Sequence, residues 1–219
     1  ESEYREVHQK AAVLYRKQAR FKLITTGKIS QKSLLFEDQH LERLTKASRY
    51  FAYPFDPEEL RQKIEEECQS CEVNQDYRLR ISLNKSGEIE LSRQILTPLS
   101  LSFCKAKLCL QKADLQQAFT YFKTTHRPHL SLGEQEIIYH NAAGELLETS
   151  IGNLVLKIAG KLYTPPTNLG ILPGIYRQHL LERGQVEEKV LTLKDLAQAE
   201  DIYGCNAVRG MYELLLKEK

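Results

Sequence analysis

From Tyr121 to Gly210, polar clusters recur at intervals that strands and short helices can fill. This rhythm constrains the fold of the 219-residue chain more than any other feature. The clusters are Phe122-Lys123-Thr124-Thr125-His126-Arg127, Glu148-Thr149-Ser150-Ile151-Gly152-Asn153, Leu172-Pro173-Gly174-Ile175-Tyr176-Arg177 and Cys205-Asn206-Ala207-Val208-Arg209-Gly210. Between them, residues 136–139, 146–149, 153–158 and 162–165 read as strands, with turns at Asn141-Ala142-Ala143-Gly144 and Ala159-Gly160-Lys161. Pro173-Gly174-Ile175 opens a helix expected to reach about Arg183, where Gly184 ends it. A strand over 186–191, a short helix over 194–199 and a strand over 201–205 follow, and residues 212–216 are a short strand or helix. The expected second half is mostly antiparallel strands with helices outside.

The first half reads as a smaller α+β unit. Residues 1–20 are helix formers with scattered apolar positions and much charge, a leader or linker helix. Phe21-Lys22-Leu23-Ile24-Thr25-Thr26 is a strand, and Gly27 starts a turn toward a second strand at 33–36. In the helix predicted over 40–51, Leu41, Leu44, Ala47 and Ser48 share one face, with Arg43 beside it. Asp56-Pro57-Glu58-Glu59 starts another helix, running to about Cys68, with a capping acid, a first-position proline and acids in the first turn. Alternation over 77–83, a turn at Asn84-Lys85-Ser86-Gly87 and a return over 88–91 make a hairpin. Alternation stops at 94–99, around Pro98; a strand is expected over 101–110, then a helix-like segment over 114–123. The expected division is a leader at 1–20, a small domain at 21–96 and a larger one at 100–219.

Charge and composition exclude several classes. With 31 basic and 29 acidic residues intermixed, the net charge of +2 makes no field for a phosphate backbone, so no nucleic-acid partner is expected. No apolar run is long enough to span a membrane and no signal-peptide pattern opens the chain, so a cytoplasmic protein without a membrane partner is expected. Because the first residue is Glu1, a processed chain, a fragment or an upstream start is expected.

Cys68-Gln-Ser-Cys71 has metal-knuckle spacing, and Cys104 with Cys109 would complete four ligands. The first pair, however, ends a Glu-rich helical pattern and the second sits in an apolar strand-like run, so free thiols and no metal are expected. His126 and His129 would need a helix to converge on an ion, and Pro128 between them opposes one.

Lysine, acid and a glycine turn entering a helix are the parts that hold pyridoxal phosphate: an amine for its aldehyde, a carboxylate for its ring nitrogen and free N–H groups for its phosphate. None is diagnostic alone. In series they are: Glu148-x4-Asn153, Tyr163-Thr164-Pro165, Leu172-Pro173-Gly174-Ile175-x-Arg177 and Ala199-Glu200-Asp201 before Asn206-x-x-Arg209-Gly210. With Ile24-Thr25-Thr26 and His40-Leu41-x-Arg43-Leu44-x3-Ser48, this order resembles the fold-type IV pyridoxal-phosphate enzymes, the class IV aminotransferase family. Within that family, Lys123-Thr124-Thr125-x-Arg127 and Phe21-x-Leu23 most resemble aminodeoxychorismate lyase domains fused behind aminodeoxychorismate synthase.

The resemblance implies an α+β, two-domain fold like that of D-amino-acid aminotransferase, with pyridoxal 5'-phosphate between a small N-terminal and a larger strand-rich domain. It implies Lys123 as the Schiff-base lysine and Glu148 at the pyridine nitrogen. Arg43, the backbone amides of Ile175 and Tyr176, and Asn206 with Ala207 fall at the phosphate. Thr25 and Arg209 fall on the substrate side, Arg209 for a carboxylate. It further implies a homodimer, a small-molecule substrate, and fusion to or association with the synthase. The implied reaction is lysis of 4-amino-4-deoxychorismate to 4-aminobenzoate and pyruvate in folate biosynthesis. A branched-chain or D-amino-acid transaminase and a degenerate non-catalytic domain are the alternatives. Three departures bear on this: His126 stands where the fused lyases usually have asparagine, Leu130 replaces a common tyrosine, and Phe122 replaces the histidine common before the lysine.

Overall fold

The computed structural model describes residues 20–111, 118–131 and 133–216; the leader helix and part of the expected 114–123 segment lie outside the described residues. Strand β1 (Leu23–Ser30) and β2 (Ser33–Leu34) form a hairpin through Gln31 and Lys32, both at positive φ. Gly27 is therefore not the turn expected from the sequence. It sits inside β1, paired with Leu79, and a Cβ there would lie 2.5 Å from His40 Nε2. A strand tolerates glycine where another side chain must come this close.

Helix α1 (Glu37–Phe51) has two acids in its first turn, and α2 (Pro57–Gln69) starts as expected, with Asp56 accepting from the Glu58 N–H at 2.9 Å. Strands β3 (Tyr77–Leu83) and β4 (Ile89–Ile95) complete an antiparallel sheet of order β2-β1-β3-β4. Alternation splits that sheet. Leu23, Ile29, Leu79, Ile81 and Leu83 pack with Leu41, Leu44, Leu60 and Ile64 of the helices in one core. The opposite face carries Ile24, Thr26, Arg78 and Arg80.

Residues 101–104, expected in a strand, form a helical turn, α3 (Leu101–Cys104), because the Ser100 hydroxyl caps the Phe103 N–H. The strand begins only afterwards, as β5 (Lys105–Leu110). Next come β6 (Ile137–His140), β7 (Leu146–Thr149), β8 (Asn153–Ile158) and β9 (Lys161–Thr164), then α4 (Ile175–Glu182) and β10 (Glu187–Glu188). Helix α5 (Leu193–Gln198) and strands β11 (Asp201–Asn206), β12 (Gly210–Glu213) and β13 (Leu215–Leu216) end the described chain.

The second sheet runs β10-β9-β8-β7-β6-β5-β13, with β11 on β8 and β12 on β11. Most of its pairs are antiparallel, but β5–β6, β9–β10 and β5–β13 are parallel. The strand expected over 186–191 shrinks to two residues because the backbone leaves β9 to bring Leu191 O to the Leu146 N–H, 2.7 Å away. Under this sheet Ala106, Ile138, Leu146, Leu154, Leu156, Leu191 and Leu196 make a separate core.

The first sheet meets the lysine-bearing segment along a seam. Leu23 bridges Thr124 antiparallel, with Ile24 N–H to Lys123 O and Thr125 N–H to Lys22 O, each 2.9 Å. Beside the seam Phe21, Phe51, Phe119 and Phe122 make edge and stacked contacts, with centroid separations from 5.0 Å to 5.8 Å. His126 packs edge-on against Phe119 at 4.9 Å, so this departure fills a packing position.

Candidate active site

A cavity of about 610 Å³ opens between the open face of the first sheet and the β7–β8 and β11–β12 region of the second. Lys123, Glu148, Arg43, Ile175, Asn206, Ala207 and Arg209, widely spaced in sequence, all line it.

Lys123 is delivered by the seam and is half-buried. Its amine is pushed down from the usual lysine range to about 7, first by burial and then by Arg43, Arg127, Arg80 and Arg78. About half of such amines lack the extra proton at neutral pH, which gives a nucleophile or base an accessible free form.

Glu148 points from β7 into the same cavity and is buried. It accepts from Arg127 at 2.9 Å and from the Leu172 N–H at 3.4 Å. Burial raises its pKa, against the opposite pull of Arg127, the Leu172 N–H and Lys123. A carboxylate has about four acceptor positions, so these contacts leave it able to take a further donor.

Helix α4 starts at Gly174, which has no side-chain cap. Gln178 N–H bonds back to Gly174 O, leaving the Ile175 and Tyr176 N–H groups without helical partners at the positive end of the helix. The start is held against β8 by Asn153, whose amide donates to Leu172 O at 2.8 Å. A Cβ on Gly174 would fall 1.9 Å from Asn153 Oδ1, so only glycine admits this approach. Arg43 donates to Pro173 O at 2.6 Å, beside the same turn. Burial, then Arg127, lowers its pKa to about 10. Across the cavity, Asn206 Oδ1 accepts from the Val208 and Arg209 N–H groups and so shapes the Ala207 turn. Arg209 donates to Thr97 O.

Thr25 is displaced from its expected place. Its hydroxyl is fully buried on the helix side of β1, 2.6 Å from His40 Nδ1, while Ile24 and Thr26 face the cavity. Strand alternation makes the two placements exclusive. Tyr176 is not a lining residue either: only its N–H is directed by the helix start, and its ring packs near Phe36 and Gly210. Three further cations line the cavity that the sequence motifs do not single out for a role, namely Arg78, Arg80 and Arg127. The Arg78-Leu79-Arg80-Ile81 alternation was the available signal for the first two. Leu130, a departure noted above, lines the cavity and packs on the Ile137, Tyr139, Leu147 and Ile171 cluster.

Cys68, Cys71 and Cys205 are buried free thiols, and among the described residues no His, Cys, Asp or Glu cluster is placed to hold a metal ion. The cavity's own groups suit an aromatic aldehyde phosphate: an amine of lowered pKa, a buried carboxylate in the same cavity, and open N–H groups beside an arginine.

The sequence matches the family described as amino-transferase class IV over residues 22–214. The chain belongs to this family. Class IV membership agrees with the fold: an amino-acid aminotransferase of Mesorhizobium loti, provisionally so named, superposes with a TM-score of 0.78 at 27% identity, covering 90% of this chain and 100% of that one. A 4-amino-4-deoxychorismate lyase of Haemophilus somnus, also provisionally named, gives 0.67 at 23% identity over 88% and 99%. Among curated relatives, the aminodeoxychorismate lyase of Saccharomyces cerevisiae is 29% identical over 128 residues, 47% of this chain and 34% of the yeast protein. An uncharacterised Haemophilus influenzae protein is 35% identical over 68 residues. The chain thus spans about a third of the length of these two curated relatives (35% and 34%). The class IV fold expected from the sequence, α+β with a strand-rich second sheet, is the fold observed.

Proposed function

We propose that the chain binds pyridoxal 5'-phosphate and is the lyase that converts 4-amino-4-deoxychorismate to 4-aminobenzoate and pyruvate. The observation that carries this reading is the pairing, in one cavity, of a Lys123 amine near neutrality with the buried Glu148 carboxylate. Relatives named as aminodeoxychorismate lyases support the choice of substrate.

The cofactor, when bound, supplies an electron sink. Arg43 and the open N–H groups of α4 would hold its phosphate, and Glu148 would hold a proton at its ring nitrogen. Lys123 Nζ takes the proton from the substrate carbon that bears the amine, which its lowered pKa permits at neutral pH. The C–O bond to the enolpyruvyl group breaks, the ring becomes aromatic, and the released enol regains a proton to end as pyruvate. Protons balance, because Lys123 can return the one it took. Arg127 pulls the Glu148 pKa down against the larger rise that burial imposes.

A second reading, an amino-acid transaminase, is favoured by the likeness to the Mesorhizobium loti aminotransferase. Purified chain supplied with 4-amino-4-deoxychorismate and no keto acid should release pyruvate and 4-aminobenzoate in equal amounts. Turnover that starts only when a keto acid is added would replace the lyase by the transaminase. Cytoplasmic location, a role in folate synthesis and association with a synthase belong to this proposal. So do a small domain at 21–96, a larger one at 100–219 and a homodimer. Exposed Leu101, Leu108, Leu110, Leu215 and Leu216, on and around the paired β5 and β13, support the dimer.

A further inference from the structure

Two arginines on the open face of the first sheet have no acidic partner among the described residues. Arg78 and Arg80 alternate along β3 with buried Leu79 and Ile81, so both side chains leave the core on the cavity side. Directly opposite Arg80 on the neighbouring strands stand Thr26 and Ser92; opposite Arg78 stand Lys28 and Gln94. Sheets ordinarily set opposite charges across from one another, and like charges there are destabilising. Lys28 is turned to Asp76 at 2.5 Å, and Arg78 makes only a 3.3 Å hydrogen bond to the Gln94 side chain. Among the described residues no carboxylate lies within ion-pair distance of Arg78, Arg80, Arg43 or Arg209. The cavity's buried acid, Glu148, is paired with Arg127. Arg78 is also held below the usual arginine range, by burial first and then by Arg80 and Arg209, so these cations crowd one another.

We propose that Arg78 and Arg80 form a carboxylate site that takes the second acid group of a small cyclic dicarboxylate substrate, separate from the phosphate end at Arg43 and α4. It deepens the lyase reading and rests on it, because a simple amino acid presents one carboxylate where 4-amino-4-deoxychorismate presents two. Two arginines two residues apart on a strand are about 7 Å apart along it, a span suited to an acid group entering beside a ring. Each offers a planar fork that matches a carboxylate.

The test is calorimetric titration of the cofactor-loaded chain with isophthalate, two carboxylates on a ring, and with benzoate, one. Native protein should bind isophthalate at least about tenfold more tightly than benzoate, and Arg78→Gln or Arg80→Gln should each remove about tenfold of the isophthalate affinity. Benzoate affinity and the cofactor's visible absorption should hold steady. Equal loss for both probes, loss of the cofactor band from a folded variant, or no native preference would overturn the site. If a glutamine variant fails to fold, Arg78→Lys and Arg80→Lys decide: partial loss confined to isophthalate supports the site, and no loss refutes it. Pyruvate release is scored separately. An arginine-dependent dicarboxylate preference without pyruvate release keeps the site and removes the lyase. Pyruvate release with no such preference does the reverse.

Discussion

Arg127 lies 2.9 Å from Glu148, and the two side chains are only 15% and 3% exposed. The lysine-bearing seam and the β7 strand are thus tied together by an ion pair within the cavity wall. The remaining Arg127 Nε is buried without a partner, so the pair is the main satisfaction of that guanidinium.

Removing one member of a buried pair strands the other. Arg127→Met should destabilise the fold by about 3 kcal/mol, and Arg127→Lys by less, in urea unfolding at pH 7. The methionine variant should also raise the Glu148 pKa further, visible as a higher acid midpoint for any Glu148-dependent signal. Equal stability of native and methionine proteins would show the pair to be idle.

Lys123 sets a pH dependence whose sign follows from its lowered pKa. From about pH 7 upward the folded amine has lost its proton while the unfolded one keeps its own up to the usual value of 10.5. The unfolded state then binds more protons, so the Lys123 contribution to stability rises with pH across this window. Below about pH 7 both states are protonated and the penalty of a buried cation stands in full. Unfolding midpoints of native protein and Lys123→Met should therefore differ most at acid pH, with Met the more stable, and converge toward pH 10. A constant gap would contradict a depressed amine.

At Gly174 the tolerance is steric. Gly174→Ala would put a methyl group where Asn153 Oδ1 now lies, forcing β8 and α4 apart. A cost of about 1–3 kcal/mol is expected from such overpacking, read as a lowered melting temperature. Cofactor affinity should fall with it, since the same turn presents the Ile175 and Tyr176 N–H groups. An unchanged melting point would mean that Asn153 moves freely aside.

Thr25 should behave as a structural residue. Its hydroxyl meets His40 Nδ1 at 2.6 Å, and His40 Nε2 is already without a partner. Thr25→Val leaves both ring nitrogens unbonded and should cost about 1–3 kcal/mol of stability. The Michaelis constant for substrate should stay near the native value. A large rise in that constant at unchanged stability would restore Thr25 to the substrate side.

Much of this fold is legible in the sequence. The capping acid Asp56, the Asn84–Gly87 turn and the β7, β8 and β9 strands are local signals, written in adjacent residues and carried out by adjacent backbone. Where non-local contacts dominate, the local reading failed. Gly27 looked like a turn because its need for space comes from His40 on another element. Residues 101–104 looked like strand from their apolar pattern, and there a competing local signal, the Ser100 cap, decided for a helical turn.

The sequence by itself determined the family, the run of strands and short helices, and which lysine, acid and glycine turn belong to one series. Periodicity and motif order are properties of the chain and survive without its partners. Tertiary structure alone decided which face of β1 meets the cavity, turning Thr25 inward and Thr26 outward. It also decided that Arg127 would answer Glu148 while Arg78 and Arg80 would stand without acids. Charge pairing depends on distances through space, and alternation along a strand cannot say what waits opposite.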